Sequence, residues 1–142
     1  MSANRDFLDL YVARYNAGDL DGVLDLYTDD AVQNMPDGSF TGRSAIRERL
    51  AQELSAFSDV HHTVRSFVEQ GDAFCDEWTF AGTHTSPLLL PDGRELAPTG
   101  KRVEIKGMEY CLMRGRKLVV NTLYYDNMAV ALQLGLVPEP VA

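Results

Sequence analysis

The order in which two hydrophobic rhythms appear constrains the fold of this chain more than any other feature. Up to about residue 57, apolar side chains recur every three or four positions; from residue 60 they alternate. Phe7, Leu8, Tyr11, Val12 and Tyr15 make a first helical stripe that ends near Asn16-Ala17-Gly18-Asp19. Gly18 suits a helix C-terminus, and Asp19 can cap a second helix with Leu20, Val23, Leu24 and Tyr27 on its inner face. A short strand over 31–35 stops at the turn signal Pro36-Asp37-Gly38, and Ile46, Leu50, Leu54 and Phe57 mark a third helix with Ser44 near its start. The alternating segments 60–69 and 73–83, and then 102–114 and 117–126, each read as an antiparallel hairpin. Between the hairpins, the Pro- and Gly-rich stretch 86–100 is expected to form a lid or rim, and a last helix is expected over about 127–134. Helices followed by antiparallel strands predict an α+β fold. The expected form is a cone-shaped barrel: a curved antiparallel sheet, three N-terminal helices on its concave face, and a short C-terminal helix.

The chain has 142 residues, 45% of them hydrophobic, enough for one core, so a single domain over 1–142 is expected. A formal charge of −8 argues against nucleic acid as a partner. Cys75 and Cys111 both fall inside strand segments and read as buried thiols, which fits a reducing compartment. The N-terminus lacks a basic segment followed by an apolar one, and no apolar run approaches membrane-spanning length. The expectation is a soluble, cytoplasmic protein with no membrane partner.

Strict alternation puts Leu118, Val120, Thr122, Tyr124 and Asp126 on one face of the last strand. Taking Gly115-Arg116 as the turn, Met113 lies opposite Leu118 and Glu109 opposite Thr122. That face is apolar near the turn and polar away from it, the pattern of a small-molecule pocket. The other face, with Val119, Leu123, Tyr125, Tyr110 and Leu112, is too apolar for open water and predicts a homodimer through the convex side. For the first hairpin two readings compete. Arg65 opposite Asp76 looks like an exposed ion pair, which turns the His62 and Glu77 face inward; Phe67, Phe74, Trp78 and Phe80 on the Arg65 side argue the reverse.

Several stretches, "YNAGDLDGVLDLYTDDAV", "GRSAIRERL", "EWTFAGTHTSPL", "PTGKRVEIKG" and "QLGLVP", occur in an order that resembles SnoaL-like polyketide cyclases of the nuclear-transport-factor-two-like superfamily. The resemblance implies cofactor-independent acid–base chemistry, an intramolecular aldol condensation on a hydrophobic, carbonyl-bearing small molecule of secondary metabolism. It also implies that Asp126, just before the "QLG" segment, matches the family's catalytic acid. Thr122 stands where family members often carry Trp, a departure that widens the pocket. Ketosteroid isomerases of the same superfamily place an acid before the proline of the short strand; here that residue is Met35, which counts against a simple isomerase. Isomerase or epoxide-hydrolase chemistry in the same pocket, and non-catalytic binding of a small molecule, remain the alternatives.

Each candidate residue has two readings. Asp126 is either a general acid or the N-cap of the last helix. His62 is either a general base oriented by Glu77 or a strand-end histidine. Tyr124 and Tyr15 are either hydroxyl donors to substrate or core aromatics, and related cyclases use a tyrosine near position 15 in the pocket. Asn34 can donate to a substrate carbonyl or satisfy backbone groups. Glu109, among apolar neighbours, needs a partner or a raised pKa. Three histidines at 61, 62 and 84 do not have three-ligand zinc spacing, the carboxylates are not expected to form a metal cluster, and no phosphate loop or dinucleotide fingerprint occurs. No metal and no cofactor are therefore expected.

Overall fold

The computed structural model describes residues 2–137. Helix α1 (Ala3–Asn16) starts where the Ser2 hydroxyl accepts the Arg5 amide at 3.1 Å, and the chain turns out of it at Gly18, φ +70°. Asp19 accepts the Gly22 amide at 2.9 Å and opens α2 (Leu20–Leu24). There follow β1 (Tyr27–Met35), β2 (Gly38–Thr41), α3 (Arg43–Ala56), β3 (His61–Gln70) and β4 (Ala73–Thr83). The stretch between the two long hairpins forms a small hairpin of its own, β5 (Leu88–Leu89) and β6 (Glu95–Leu96). Strands β7 (Arg102–Arg114) and β8 (Lys117–Tyr125) then lead into α4 (Asn127–Leu134).

The main sheet has the order β2-β1-β8-β7-β4-β3, and the helices pack on its curved inner face, so the α+β architecture is as expected. One pairing differs: β1 runs parallel to β8, which makes the sheet mixed rather than wholly antiparallel. These two strands lie far apart in sequence and are joined by a long crossover instead of a turn, and only a short turn forces neighbours to be antiparallel. Among the described residues, no helix is long and apolar enough to cross a membrane.

Two one-residue bulges decide which side chains face inward. In β8, Leu118 pairs with Met113 but Val120 pairs with Leu112, so Val119 is the extra residue. In β3, Val64 pairs with Trp78 but Ser66 pairs with Glu77, so Arg65 is extra. A one-residue insertion sends every later side chain to the opposite face. Beyond the β8 bulge, Asn121, Leu123 and Tyr125 turn toward the helices in place of Thr122 and Tyr124. In the first hairpin, His62 and Val64 before the bulge and Phe67 after it share the inner side with Phe74, Asp76, Trp78 and Phe80. The expected Arg65–Asp76 surface pair does not exist: Asp76 is 1% exposed and faces the core.

Phe7, Leu8, Val23, Leu24, Ile46 and Leu50 from the three N-terminal helices close over Phe74, Trp78, Val103 and Leu118 of the sheet. Gly107 matters here because a Cβ at that position would sit 2.4 Å from the Trp78 ring. Only a residue without a side chain lets the indole lie across β7. The opposite face of the sheet carries Met108, Tyr110 and Tyr124, all exposed.

Candidate active site

A cavity of about 700 Å³ opens between the concave sheet, helices α1, α3 and α4, and the strip Leu88–Pro91 at its mouth. Its size suits a small organic molecule. Trp78, Phe80, Val103, Leu123, Tyr125 and Leu134 give it apolar walls. Polar side chains converge on part of the wall: Tyr11, Tyr15, Gln33, Arg49, Glu53, His62, Glu109 and Asn121.

Most of these polar groups form one connected chain. Tyr15 donates its hydroxyl to Glu53 Oε2 at 2.6 Å, and Arg49 Nη1 donates to Glu53 Oε1 at 3.2 Å. Arg49 Nε also donates to Gln33 Oε1 at 2.6 Å, and Gln33 Nε2 donates to Asn121 Oδ1 at 2.9 Å. Asn121 Nδ2 then reaches Glu109 Oε2 at 3.4 Å and Cys111 Sγ at 3.4 Å. The Cys111 thiol donates to Glu109 Oε1 at 3.6 Å. Beside this chain, Tyr11 and Tyr27 share a hydroxyl–hydroxyl bond of 2.7 Å. One amide and one thiol thus fix the two Glu109 oxygens.

Glu109 has a second acid behind it. Strand pairing sets Asp76 directly across from Glu109, and oxygens of both acids lie with Cys111 Sγ in a group whose members are all within 4.8 Å of one another. Among the described residues, no amide, hydroxyl or cation donates to either Asp76 oxygen. Burial, and then the neighbouring Glu109 charge, push Asp76 up to about 9 from an ordinary 3.8. Burial likewise holds the Cys111 thiol and the Tyr11 and Tyr15 hydroxyls well above their usual ranges. Burial pulls His62 down, against the opposing attraction of Glu109 and Glu53, so its imidazole is neutral near pH 7. Burial works against the Arg49 charge most strongly, but Glu53, Tyr27 and Tyr11 together outweigh it and its pKa is raised.

Of the residues singled out from sequence, Tyr15, His62 and Glu109 come to the cavity wall. His62 stacks near Trp78, with ring centroids 5.2 Å apart, and meets the Tyr15 ring edge-on at 5.8 Å. The others lie elsewhere. Glu77 is exposed on the outer face and accepts from the Ser66 hydroxyl at 2.6 Å, so it does not orient His62, whose strand partner is Phe80. The β8 bulge turns Thr122 and Tyr124 outward. Thr122 Oγ1 accepts from Asn34 Nδ2 at 3.0 Å, and Asn34 Oδ1 accepts from the Ser39 hydroxyl, so this pair stitches β1 to β8 and β2 outside the cavity. Asp126 is exposed and caps α4, accepting the Met128 and Ala129 amides at 3.0 and 3.1 Å. The homodimer face expected from Leu123 and Tyr125 is likewise displaced, since both line the cavity.

Sequence reasoning missed Asp76, Arg49, Gln33 and Asn121. Asp76 did leave a signal, a lone acid alternating with Phe74, Trp78 and Phe80, which read as a surface charge only because Arg65 was placed opposite it. The acid cluster itself had none, because Asp76 and Glu109 are far apart in sequence and meet through strand pairing.

An α+β cone whose helices and sheet enclose a cavity with apolar walls on one side and polar side chains on the other defines the class of fold. The family model for SnoaL-like polyketide cyclases matches residues 5–134, and the chain belongs to that family. Solved structures agree on the fold. AclR, a candidate hydroxylase from Streptomyces galilaeus, superposes with a TM-score of 0.81 at 23% identity, covering 94% of this chain and 96% of its own. TsrD from Streptomyces laurentii gives 0.80 at 20% identity, with 95% and 96% covered. IdmH from Streptomyces antibioticus, a candidate polyketide cyclase, gives 0.75 at 24% identity, with 92% and 97% covered.

Proposed function

We propose that this protein is a cofactor-independent acid–base enzyme acting on a hydrophobic, carbonyl-bearing small molecule, and that Glu109 moves the proton. The observation that carries the proposal is Glu109 itself, a carboxyl only 9% exposed that is held by an amide and a thiol at the wall of a cavity that combines apolar walls with a polar side. A carboxylate fixed at the wall beside bound substrate can take a proton without the entropy cost of an encounter. For an intramolecular aldol condensation, Glu109 takes a proton from the carbon beside a carbonyl. The resulting enolate carbon bonds to a second carbonyl carbon as that C=O π bond breaks. The new alkoxide takes the proton back from Glu109, so the carboxylate is regenerated and nothing is oxidised or reduced. In this reading Arg49, Tyr15 and neutral His62 orient the substrate's polar end, and Asp126 serves as a helix cap.

The test uses the one tryptophan, Trp78, which lines the cavity. Apolar carbonyl compounds titrated into the protein should change its fluorescence, and a bound compound with an acidic C–H should be turned over. Glu109→Gln is expected to keep binding and lose turnover by roughly a hundredfold or more, the scale of a lost general base. Full turnover by a well-folded Glu109→Gln variant would remove the reading. Met108, Tyr110 and Tyr124 on the outer sheet face are exposed apolar groups that a second copy of the chain would cover. A homodimer through this face is therefore proposed, and sedimentation showing only monomer at micromolar concentration would reject it.

A further inference from the structure

We propose that Asp76 and Glu109 hold one proton between them at neutral pH, with Asp76 as the proton-bearing positioning residue that keeps the Glu109 carboxylate facing the cavity. This rests on the reading of Glu109 as the proton-transfer group. The argument begins with geometry. Asp76 is 1% exposed, sits directly opposite Glu109 on the neighbouring strand, and has no hydrogen-bond donor among the described residues. Two buried carboxyls whose oxygens lie within 4.8 Å strongly disfavour being charged together, because a low-dielectric interior magnifies their repulsion. If Asp76 keeps a proton, its O–H donates to Glu109 and both problems disappear: the orphaned oxygens gain a partner, and the pair carries a single charge.

The groups packed around the pair leave it that one charge. Helix α1 brings Arg5, which acts on Asp76 only weakly, and Tyr11. Strand β1 brings Tyr27 and β7 brings Cys111, both held protonated by burial. Strand β3 brings His62, held neutral by burial. The Arg49 charge of α3 is engaged by Glu53 and Gln33. Neutral donors hold both Glu109 oxygens, Cys111 at Oε1 and Asn121 at Oε2, and Glu109 is the member of the acid pair that lines the cavity, so it is the one that meets a proton from substrate. The pair is thus monoanionic at rest and neutral once it holds the substrate proton, and it returns to the monoanion when that proton goes to the product.

The experiment combines spectroscopy with pH profiles on the intact protein. Infrared difference spectra, wild type minus Asp76→Asn, should show a protonated carboxyl at pH 7 that is lost at alkaline pH. Turnover of the wild type should fall as pH rises through about 9, where Asp76 gives up its proton and the pair becomes a dianion. Asp76→Asn retains an N–H donor toward Glu109 and should lose this alkaline limb while lowering neutral-pH turnover by less than roughly tenfold, whereas Asp76→Ala leaves Glu109 without that donor and should lose more. A purely structural role would not separate the Asn and Ala variants by pH profile. No protonated carboxyl at pH 7, an identical alkaline limb in Asp76→Asn, or stoichiometric zinc in the purified protein in place of the proton would each overturn the proposal. If Asp76→Asn does not fold, the carboxyl band of the wild type titrated against pH decides alone. If Glu109→Gln proves fully active, the reading of Glu109 fails while the infrared band still reports on the pair.

Discussion

Asp126 and Asp76 make an instructive pair, since both are aspartates beside aromatic side chains at the sheet and they end in opposite surroundings. Asp126 stands in water at the end of β8, with two backbone amides as partners. Asp76 is buried behind the cavity wall, with another carboxyl as its neighbour. A cap stabilises because a charge meets free amide dipoles at a helix start. A buried acid is costly as a charge and so retains its proton. The same side chain therefore becomes a structural anchor in one place and a titrating group in the other, and surroundings rather than residue type make the difference.

The comparison can be broken most sharply by exchanging charge for amide at each end. Glu109→Gln, at the buried end, is expected to show the largest effect, with turnover reduced roughly a hundredfold or more in steady-state assays while the fold is kept. The next effect is in stability against pH. Asp76 holds its proton to about 9 when folded, against 3.8 ordinarily, so its contribution is fully present below about pH 4 and is lost as pH rises toward 9. Thermal melts of the wild type should lose this contribution across that window, and Asp76→Asn should flatten the curve; equal slopes would show that Asp76 is not protonated in the fold. Gly107→Ala should cost about 1–3 kcal/mol in denaturant unfolding, because the added methyl meets the Trp78 ring, and should blue- or red-shift Trp78 emission as the indole moves. The smallest effects belong to the exposed end: Asp126→Ala about 1 kcal/mol, and Asp126→Asn well below that since Asn also caps. Turnover by Asp126→Asn should stay at the wild-type level; a loss there would bring the helix cap back as the working acid.

Much of the architecture was legible without coordinates. Helical stripes through Phe7–Tyr15 and Ile46–Leu54, the turn at Gly115-Arg116, and the Gly18 end of α1 are local features, set by periodicity and by which residues tolerate a given φ. Glu109 was legible for the same reason, since β7 alternates without interruption from Val103 to Met113. The site as a whole was not, because Val119 and Arg65 look like ordinary strand residues and nothing in their neighbours marks them as bulges.

The sequence by itself determined the order of elements, the pairing of two long hairpins and the presence of an enclosed apolar face, since hydrophobic period and turn chemistry act over a few residues. Tertiary structure alone decided which acids share the interior. A bulge is selected by how the curved sheet packs on its helices, and one extra residue moves Asn121 and Tyr125 to the cavity while sending Thr122 and Tyr124 to the surface. The meeting of Asp76 with Glu109 depends on cross-strand register, a relation between distant segments that no local pattern encodes.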